Sequence, residues 1–180
     1  MRQLTPRARE IVLVARELLE EEGIEALTMR RLASRLGIRA PSLYKHLPNK
    51  AALEVAIIAT GFEEAAAAFE AAGDGDGDGG RLAALAAAYR TFALAHPHLY
   101  RLMTDRPLPR DQLPPGLEDR TSAPLVRAVG DPSRARAVFA FAHGMVLLEL
   151  TGRLPPGADP GPAWRAGLDA FEASAATPAR

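Results

Sequence analysis

The chain of 180 residues predicts an all-α protein, a three-helix head at the N-terminus followed by a larger helical region. Three observations carry that expectation. Apolar residues recur three and four apart through successive segments, the spacing that lays them on one face of an α-helix. These segments open on Thr, Asn, Asp or Pro and close on Gly or Pro, the residues that cap, start and stop helices. Hydrophobic residues make up 48% of the chain, enough to bury a core at this length without disulfides or a structural metal.

The first helix is expected from about Pro6 to Glu22, with Ile11, Ala15, Leu18 and Leu19 on one stripe. Thr5–Pro6 supplies its N-cap and first turn, and Gly23 its stop. Thr28 caps a short second helix, Met29 to Leu36, whose apolar side is Met29, Leu32, Ala33 and Leu36. Gly37 ends it and Ile38 returns to the core. Pro41 opens a third helix to about Leu47, with Leu43 and Leu47 pointing one way and Ser42, Tyr44, Lys45 and His46 elsewhere. Pro48 stops it, and Asn49 caps a long fourth helix from Lys50 to about Ala72.

Asp74, Asp76, Asp78 and Gly79 copy the opening of a calcium loop, but its twelfth position, where a bidentate Glu belongs, is Leu85. The run is read as a flexible acidic connector. Residues 81–95 form an Ala-rich helix with Leu82, Leu85, Tyr89, Phe92 and Ala93 on one face, broken at His96–Pro97. His98 to Met103 is a further short helix. Residues 104–124 carry Pro107, Pro109, Pro114, Pro115 and Pro124 and read as a loop, with room for one or two helical turns, that borders a pocket. Residues 132–153 form a helix in which His143 and Glu149 are the only ionisable groups between Ala137 and Leu150, apolar enough to be buried on most sides. Asp159–Pro160 starts a last helix to about Ala175, with Trp164, Leu168 and Phe171 on one stripe and a frayed tail beyond.

With no cysteine in the chain, a disulfide scaffold, a thiolate zinc site, an iron–sulfur cluster and a Cys nucleophile are excluded. No apolar run reaches the ~18 residues needed to span a bilayer, and Met1 to Glu10 lacks the apolar core of a signal peptide. The expectation is a soluble, cytoplasmic protein with no membrane partner. Catalytic signatures are missing too: there is no Gly-x-Ser-x-Gly, phosphate loop or dinucleotide fingerprint, and His96 and His98 stand two apart, unsuited to a metal-binding helix. No enzyme activity, cofactor or metal is expected.

Formal net charge is +0, but its distribution is uneven. Residues 1–50 hold 10 Lys and Arg against 6 Asp and Glu, a net of +4, and the remainder balances it. Arg30, Arg31, Arg35, Arg39, Lys45 and Lys50 fall in 26–50 with no acid among them. Such a basic segment is the footprint of a module that meets phosphate, although a charge run is more often a solvated face.

The second and third helices, joined by a glycine turn, make a helix-turn-helix. A steep crossing needs a small residue where the helices touch, which Ala33 supplies. The turn needs a residue tolerant of positive φ, which Gly37 supplies. Leu43 is the apolar anchor that seats the third helix on the second. The stretch from Thr28 to Lys50, Thr-Met-Arg-Arg-Leu-Ala-Ser-Arg-Leu-Gly-Ile-Arg-Ala-Pro-Ser-Leu-Tyr-Lys-His-Leu-Pro-Asn-Lys, followed by Ala51-Ala52-Leu53, resembles the DNA-binding domain of the TetR family of bacterial transcriptional regulators. The likeness covers about residues 8–55. Leu47 stands where that family more often has Phe, and Ala40–Pro41 where a small residue and Gly are common, so the operator read does not carry over.

The resemblance implies a DNA-binding domain at residues 1–48 and a helical ligand-binding and dimerisation domain at 49–180. It places the third helix in the major groove with Arg39, Ala40, Pro41 and Ser42 at its leading end. There Arg39 would pair with guanine or touch phosphate alone, and Ala40 and Pro41 would meet a thymine methyl. Tyr44, Lys45, His46 and Lys50 resemble the backbone clamps, with Lys50 at the N-terminus of a helix whose dipole favours phosphate. Thr28 caps its helix and leaves first-turn N–H groups for phosphate.

His143–Gly144 and the apolar residues after it resemble a subgroup of TetR-type C-terminal domains marked by a His-Gly pair, with Phe139 and Phe141 where that subgroup carries Trp. The expected partners are a near-palindromic double-stranded operator, a second copy of the chain paired through the last two helices, and a small-molecule effector that releases DNA. Tyr89, Phe92, Tyr100, Met103, Phe139, His143 and Met145 are the candidate effector-pocket residues, with plain core packing the competing reading for each. Activation instead of repression, control by a protein partner, or a relic head on a small-molecule-binding protein are the alternative readings.

Overall fold

The computed structural model describes residues 4–74 and 80–175, and every regular element among them is helical. The acidic run at 75–79 and the tail from 176 onward lie outside the described residues, and with them the connector and frayed-tail expectations. The helices are α1 (Pro6–Glu22), α2 (Met29–Arg35), α3 (Ala40–Tyr44), α4 (Lys50–Gly73), α5 (Arg81–Ala95), α6 (Pro97–Thr104), α7 (Leu117–Val129), α8 (Pro132–Leu150) and α9 (Gly161–Ala175), with one 3₁₀ turn at Arg110–Gln112. They form two compact units. One holds the chain up to Glu64 together with His96–Leu117; the other holds Ala65–Ala95 and everything from Glu118 on. This division differs from a cut at 48/49: the first two-thirds of α4, and α6, belong to the same unit as the head.

In the first unit the stripe Ile11, Ala15, Leu18 and Leu19 of α1 is fully buried, as its spacing predicts. Thr5 Oγ1 accepts from the Ala8 N–H at 3.2 Å, and Gly23, at φ 81°, closes the helix by donating to the Leu19 carbonyl at 2.9 Å. α1 packs on α2 and α6. The Glu20 carboxylate accepts from the backbone N–H groups of His98 (3.2 Å) and Leu99 (2.8 Å). It thereby caps α6, whose own N-cap residue, His96, offers no side-chain cap. Glu64 receives the Arg16 guanidinium and lies 3.1 Å from His96 Nε2. The Arg16 hydrogen bond is the main reason its carboxyl is held below the ordinary glutamate range. Gly61 lets α6 approach α4 closely: a Cβ there would stand 2.7 Å from Met103 Sδ.

In the second unit α5 and α9 pack on α8. A polar clasp holds all three. Glu149 of α8 accepts from Arg90 of α5, Nη2 at 2.6 Å and Nε at 2.9 Å, and from Trp164 Nε1 of α9 at 2.9 Å. The Arg90 hydrogen bond, helped by Trp164 and opposed by burial, holds the Glu149 carboxyl below its ordinary range. Because the folded-state pKa lies below the unfolded one, the stabilisation is present above the ordinary carboxylate range and is lost as pH falls through the folded-state value. Glu149→Gln is therefore expected to lower stability at neutral pH by about 1 kcal/mol, discounted for the exposed end of Arg90, and to leave less to lose on acidification. Urea midpoints at neutral and acid pH check this. A Gln variant with the wild-type neutral midpoint would mean that the clasp contributes nothing.

Two segments differ in extent from the sequence reading. The helical turns allowed within 104–124 are the 3₁₀ turn and the first part of α7, which begins at Leu117 and runs on through Pro124 to Val129. Four of the five prolines do lie in the irregular stretch. The fifth costs α7 a single N–H donor. Glu118 and Asp119 favour the positive end of this helix, and Arg127 near its end pairs with Glu70 of α4 at 2.8 Å. Pro124 itself packs beside Gly73, 3.4 Å from where a Cβ there would stand. α3 also stops sooner than expected, at Tyr44. Pro48 drives Leu47 out of helical geometry, and the N–H groups of His46 and Leu47 turn back to the Leu43 carbonyl, each at 2.9 Å.

Candidate nucleic-acid interface

The head positions its surface from inside outward. Ala33 is buried where α2 meets α3, and the Ile38 N–H donates to its carbonyl at 3.0 Å. Gly37 takes φ 65°, the left-handed turn the motif requires. Leu43 and Leu47 are buried, at 0% and 3% exposure, and fix the roll of α3. With that roll set, Arg39, Pro41, Tyr44, Lys45 and His46 are exposed and Ala40 and Ser42 half-buried. Tyr44, at 49% exposure, is a surface tyrosine and no part of the core. Thr28 Oγ1 accepts from the Arg31 N–H at 3.1 Å, so its hydroxyl caps α2. Asn49 does the same for α4, accepting from Ala52 N–H at 2.8 Å.

The structure sorts the basic residues of the segment into two kinds. Arg31 reaches back to Glu22 of α1, at 2.7 and 3.2 Å, and Arg35 grips Glu21 at 2.6 and 2.7 Å. These hydrogen bonds hold both guanidinium groups more firmly protonated and hold the Glu21 carboxyl down. They brace α2 on α1 and are neutralised in doing so. Arg30, Arg39 and Lys45 keep no ion-pair partner among the described residues. Arg30, exposed at the start of α2, is a free cation that sequence reasoning placed in the basic run but not among the site residues. The signal that would have singled it out is the pairing of its neighbours with α1, which lies nine and fourteen positions away in sequence. Lys50 is half-buried, its Nζ 3.4 Å from the Ile24 carbonyl and 3.6 Å from Glu54. A phosphate contact by Lys50 would exchange the second of these partners.

The seven candidate effector residues fall in both units. Tyr100 and Met103 belong to the first, where Tyr100 is 2% exposed. In the second, Phe92 and Met145 are buried in the core, while Tyr89, Phe139 and His143 form a string of rings. Tyr89 meets Phe139 edge-on at 5.9 Å, Phe139 stacks on His143 at 5.9 Å, and Phe69 extends the string at 6.0 Å from Tyr89. Phe139 is 45% exposed, so the helix expected to be covered on most sides leaves a large ring uncovered in the single chain. Among the described residues no group of three or more His, Cys, Asp or Glu is placed to hold a metal. Nor is any helix there long and apolar enough to cross a membrane.

The sequence matches known families over both parts of the chain. Residues 11–57 match the family model for bacterial regulatory proteins of the tetR family, and residues 82–171 match that for the tetracyclin repressor-like C-terminal domain. An uncharacterised HTH-type transcriptional regulator of Mycobacterium tuberculosis is 32% identical over 79% of this chain and 69% of its own. The HTH-type transcriptional repressor DrrR1 of Streptomyces coeruleorubidus is 34% identical over 72% of this chain, which spans about half (47%) of that protein. The class C tetracycline repressor of Escherichia coli is 54% identical, but only over 24% of this chain and 20% of its own.

Among solved structures, a protein of unknown function from Rhodococcus sp. RHA1 superposes with TM-score 0.80 at 29% identity, over 98% of both chains. A TetR variant of Acinetobacter baumannii AYE in complex with minocycline superposes with TM-score 0.66 at 27% identity, over 91% of this chain and 93% of its own. The chain belongs to the TetR family and is a DNA-binding transcriptional regulator.

Proposed function

We propose that the protein is a repressor that binds a near-palindromic operator as a homodimer and is released by a small molecule. The observation that carries the DNA reading is α3 with its flanks: Leu43 and Leu47 are buried, while Arg39, Tyr44, Lys45 and His46 are exposed. In this reading Arg39, Ala40, Pro41 and Ser42 meet base edges, while Thr28, Tyr44, Lys45, His46 and Lys50 meet the backbone. Arg30 joins them as a further unneutralised cation. Two heads related by a two-fold axis would address half-sites about one turn apart. The uncovered Phe139 and Leu148 of α8, at 45% and 37% exposure, fit a dimer seam through α8 and α9.

Release by an effector is supported by the relatives named a repressor and a tetracycline repressor, and by the neighbour solved with minocycline. The mechanism is a population shift: an effector that prefers one setting of α4 changes the spacing of the two heads, with coupling of about 1–3 kcal/mol. His143–Gly144, with His143 stacked on Phe139, fits the His-Gly subgroup of C-terminal domains.

Selection of bound sequences from a random DNA pool at two salt concentrations tests the reading. Enrichment of a near-palindrome with steep salt dependence is the expected result; weak binding to every sequence would overturn it. Within the selected operator, Lys50→Ala is expected to weaken all sequences alike and to lower the salt slope by about one. Tyr44→Phe should also weaken them uniformly. Arg39→Ala should relax preference at its base position, a cost of about 1–3 kcal/mol against the best site. An unchanged preference would leave Arg39 as a phosphate contact only.

A further inference from the structure

Outside the helix-turn-helix, one more cation stands beside the proposed phosphate clamp. Arg106 follows α6 and belongs to the same compact unit as the head. Its Nη1 lies 3.8 Å from Glu54 Oε2, and Lys50 Nζ lies 3.6 Å from the other oxygen of that carboxylate. Glu54 comes one turn after Lys50 on α4, so the fold brings a cation from α4 and a cation from beyond α6 to one acid. The cluster holds two positive charges against one negative. Its cations are the outer members: the Lys50 and Arg106 side chains are 41% and 59% exposed, that of Glu54 only 18%. What the three groups present to water is therefore positive.

We propose that Arg106 is a further DNA-backbone contact, holding a phosphate at or close to the one held by Lys50. The inference rests on the operator reading for Lys50 and adds to it a residue from outside the head. Distance supports it. Each nitrogen is one ion-pair contact from the same carboxylate, so the two stand no more than about 10 Å apart, a span covered by ~3 nucleotides of one B-DNA strand at about 3.4 Å of rise each. The chemistry supports it too. At 3.8 Å the Arg106–Glu54 pair is beyond hydrogen-bond reach, and an ion pair with so exposed a partner contributes little. A phosphate offers the guanidinium shorter, charge-assisted hydrogen bonds that its planar fork fits, and the flexible arginine stem lets it turn to make them. Such a contact carries no base preference. Because Arg106 comes directly after α6, a change in the setting of α6 would make or break it without any movement of α3.

The test uses the full chain on its selected operator, with affinity measured across salt concentrations. Arg106→Ala is expected to weaken binding several-fold and to lower the salt slope by about one, the loss of a single phosphate contact, with base preference unchanged. Arg120→Ala removes an equal charge from an exposed position in the second unit and should leave the slope in place. In a Glu54→Gln background Arg106→Ala should cost as much as before, because the contact is with DNA. A cost that vanishes there would mean that Arg106 acts only by pairing with Glu54, and would overturn the proposal. Operators that each carry one uncharged methylphosphonate locate the contact, and they carry the test if the Gln variant does not fold. Wild type should be weakened by substitution at the phosphate Arg106 holds, and Arg106→Ala should be blind to that substitution. The position should lie within about three nucleotides of the one to which Lys50→Ala is blind. An unchanged slope in Arg106→Ala, an equal loss in Arg120→Ala, or no methylphosphonate position to which Arg106→Ala is blind would each overturn the proposal. If Lys50→Ala lowers the slope while Arg106→Ala does not, the operator reading stands and this inference alone fails.

Discussion

Leu43→Ala is expected to cost the head about 2–5 kcal/mol and to abolish operator binding, a larger loss than removal of any single residue proposed to touch DNA. Leu43 is wholly buried and is the residue that seats α3 on α2. α3 has five residues and no side-chain N-cap, far too few for a helix that holds itself. Its orientation therefore comes from tertiary packing, and in that packing Leu43 is its one large buried side chain, with Leu47 buried just beyond its end. Truncation leaves a cavity and frees the roll of the helix, so Arg39, Tyr44 and Lys45 no longer present a fixed face. Leu43→Met, which keeps the volume, should cost under about 1.5 kcal/mol and retain binding. Urea denaturation with DNA-binding titrations of both variants measures this. An Ala variant that unfolds like the wild type and still selects the operator would show that α3 is held by something else.

The head was legible because its constraints are local. Ala33, Gly37 and Leu43 lie within eleven positions of one another, and each answers one steric demand of the crossing, the turn or the anchor. What the sequence hid was pairing between segments. The six bases and no acids of 26–50 look uniformly available, yet Glu21 and Glu22 lie just outside that window and take up Arg35 and Arg31. The free cations are fewer, and Arg30 rises in importance. In the remainder, α7 was obscured by the rule that proline marks a loop. Pro124 stands inside α7 nonetheless, packed beside Gly73, fifty-one positions earlier. The candidate effector residues share aromatic, Met or His side chains on the helices of the larger region. That likeness cannot separate Tyr100, sunk in the core of one unit, from Phe139, open on the surface of another.

Gly167→Ala is expected to destabilise the second unit by about 1–3 kcal/mol, although alanine is the better helix former and would otherwise add close to 1 kcal/mol. Gly167 lies mid-way along α9, where a small-to-large change on an exposed helix is ordinarily favourable. Here the end of the Phe141 ring points at its Cα, and an added Cβ would overlap three ring carbons. The ring has little freedom to give way. Trp164 stands edge-on to it at 5.6 Å and Phe171 lies at 5.9 Å, so turning aside forfeits both contacts. Displacing α9 is no easier, because Trp164 is tied to Glu149 by the 2.9 Å hydrogen bond that completes the α5–α8–α9 clasp. The relief should therefore come from the ring itself. In Phe141→Leu the shorter side chain withdraws from Gly167, and Gly167→Ala should cost much less in that background, giving a coupling energy of about 1 kcal/mol or more in a double-mutant cycle. Thermal or urea unfolding of the four proteins measures it. Additive effects would mean that α9 yields elsewhere along its length and that the ring-on-glycine contact does not set how α8 and α9 meet.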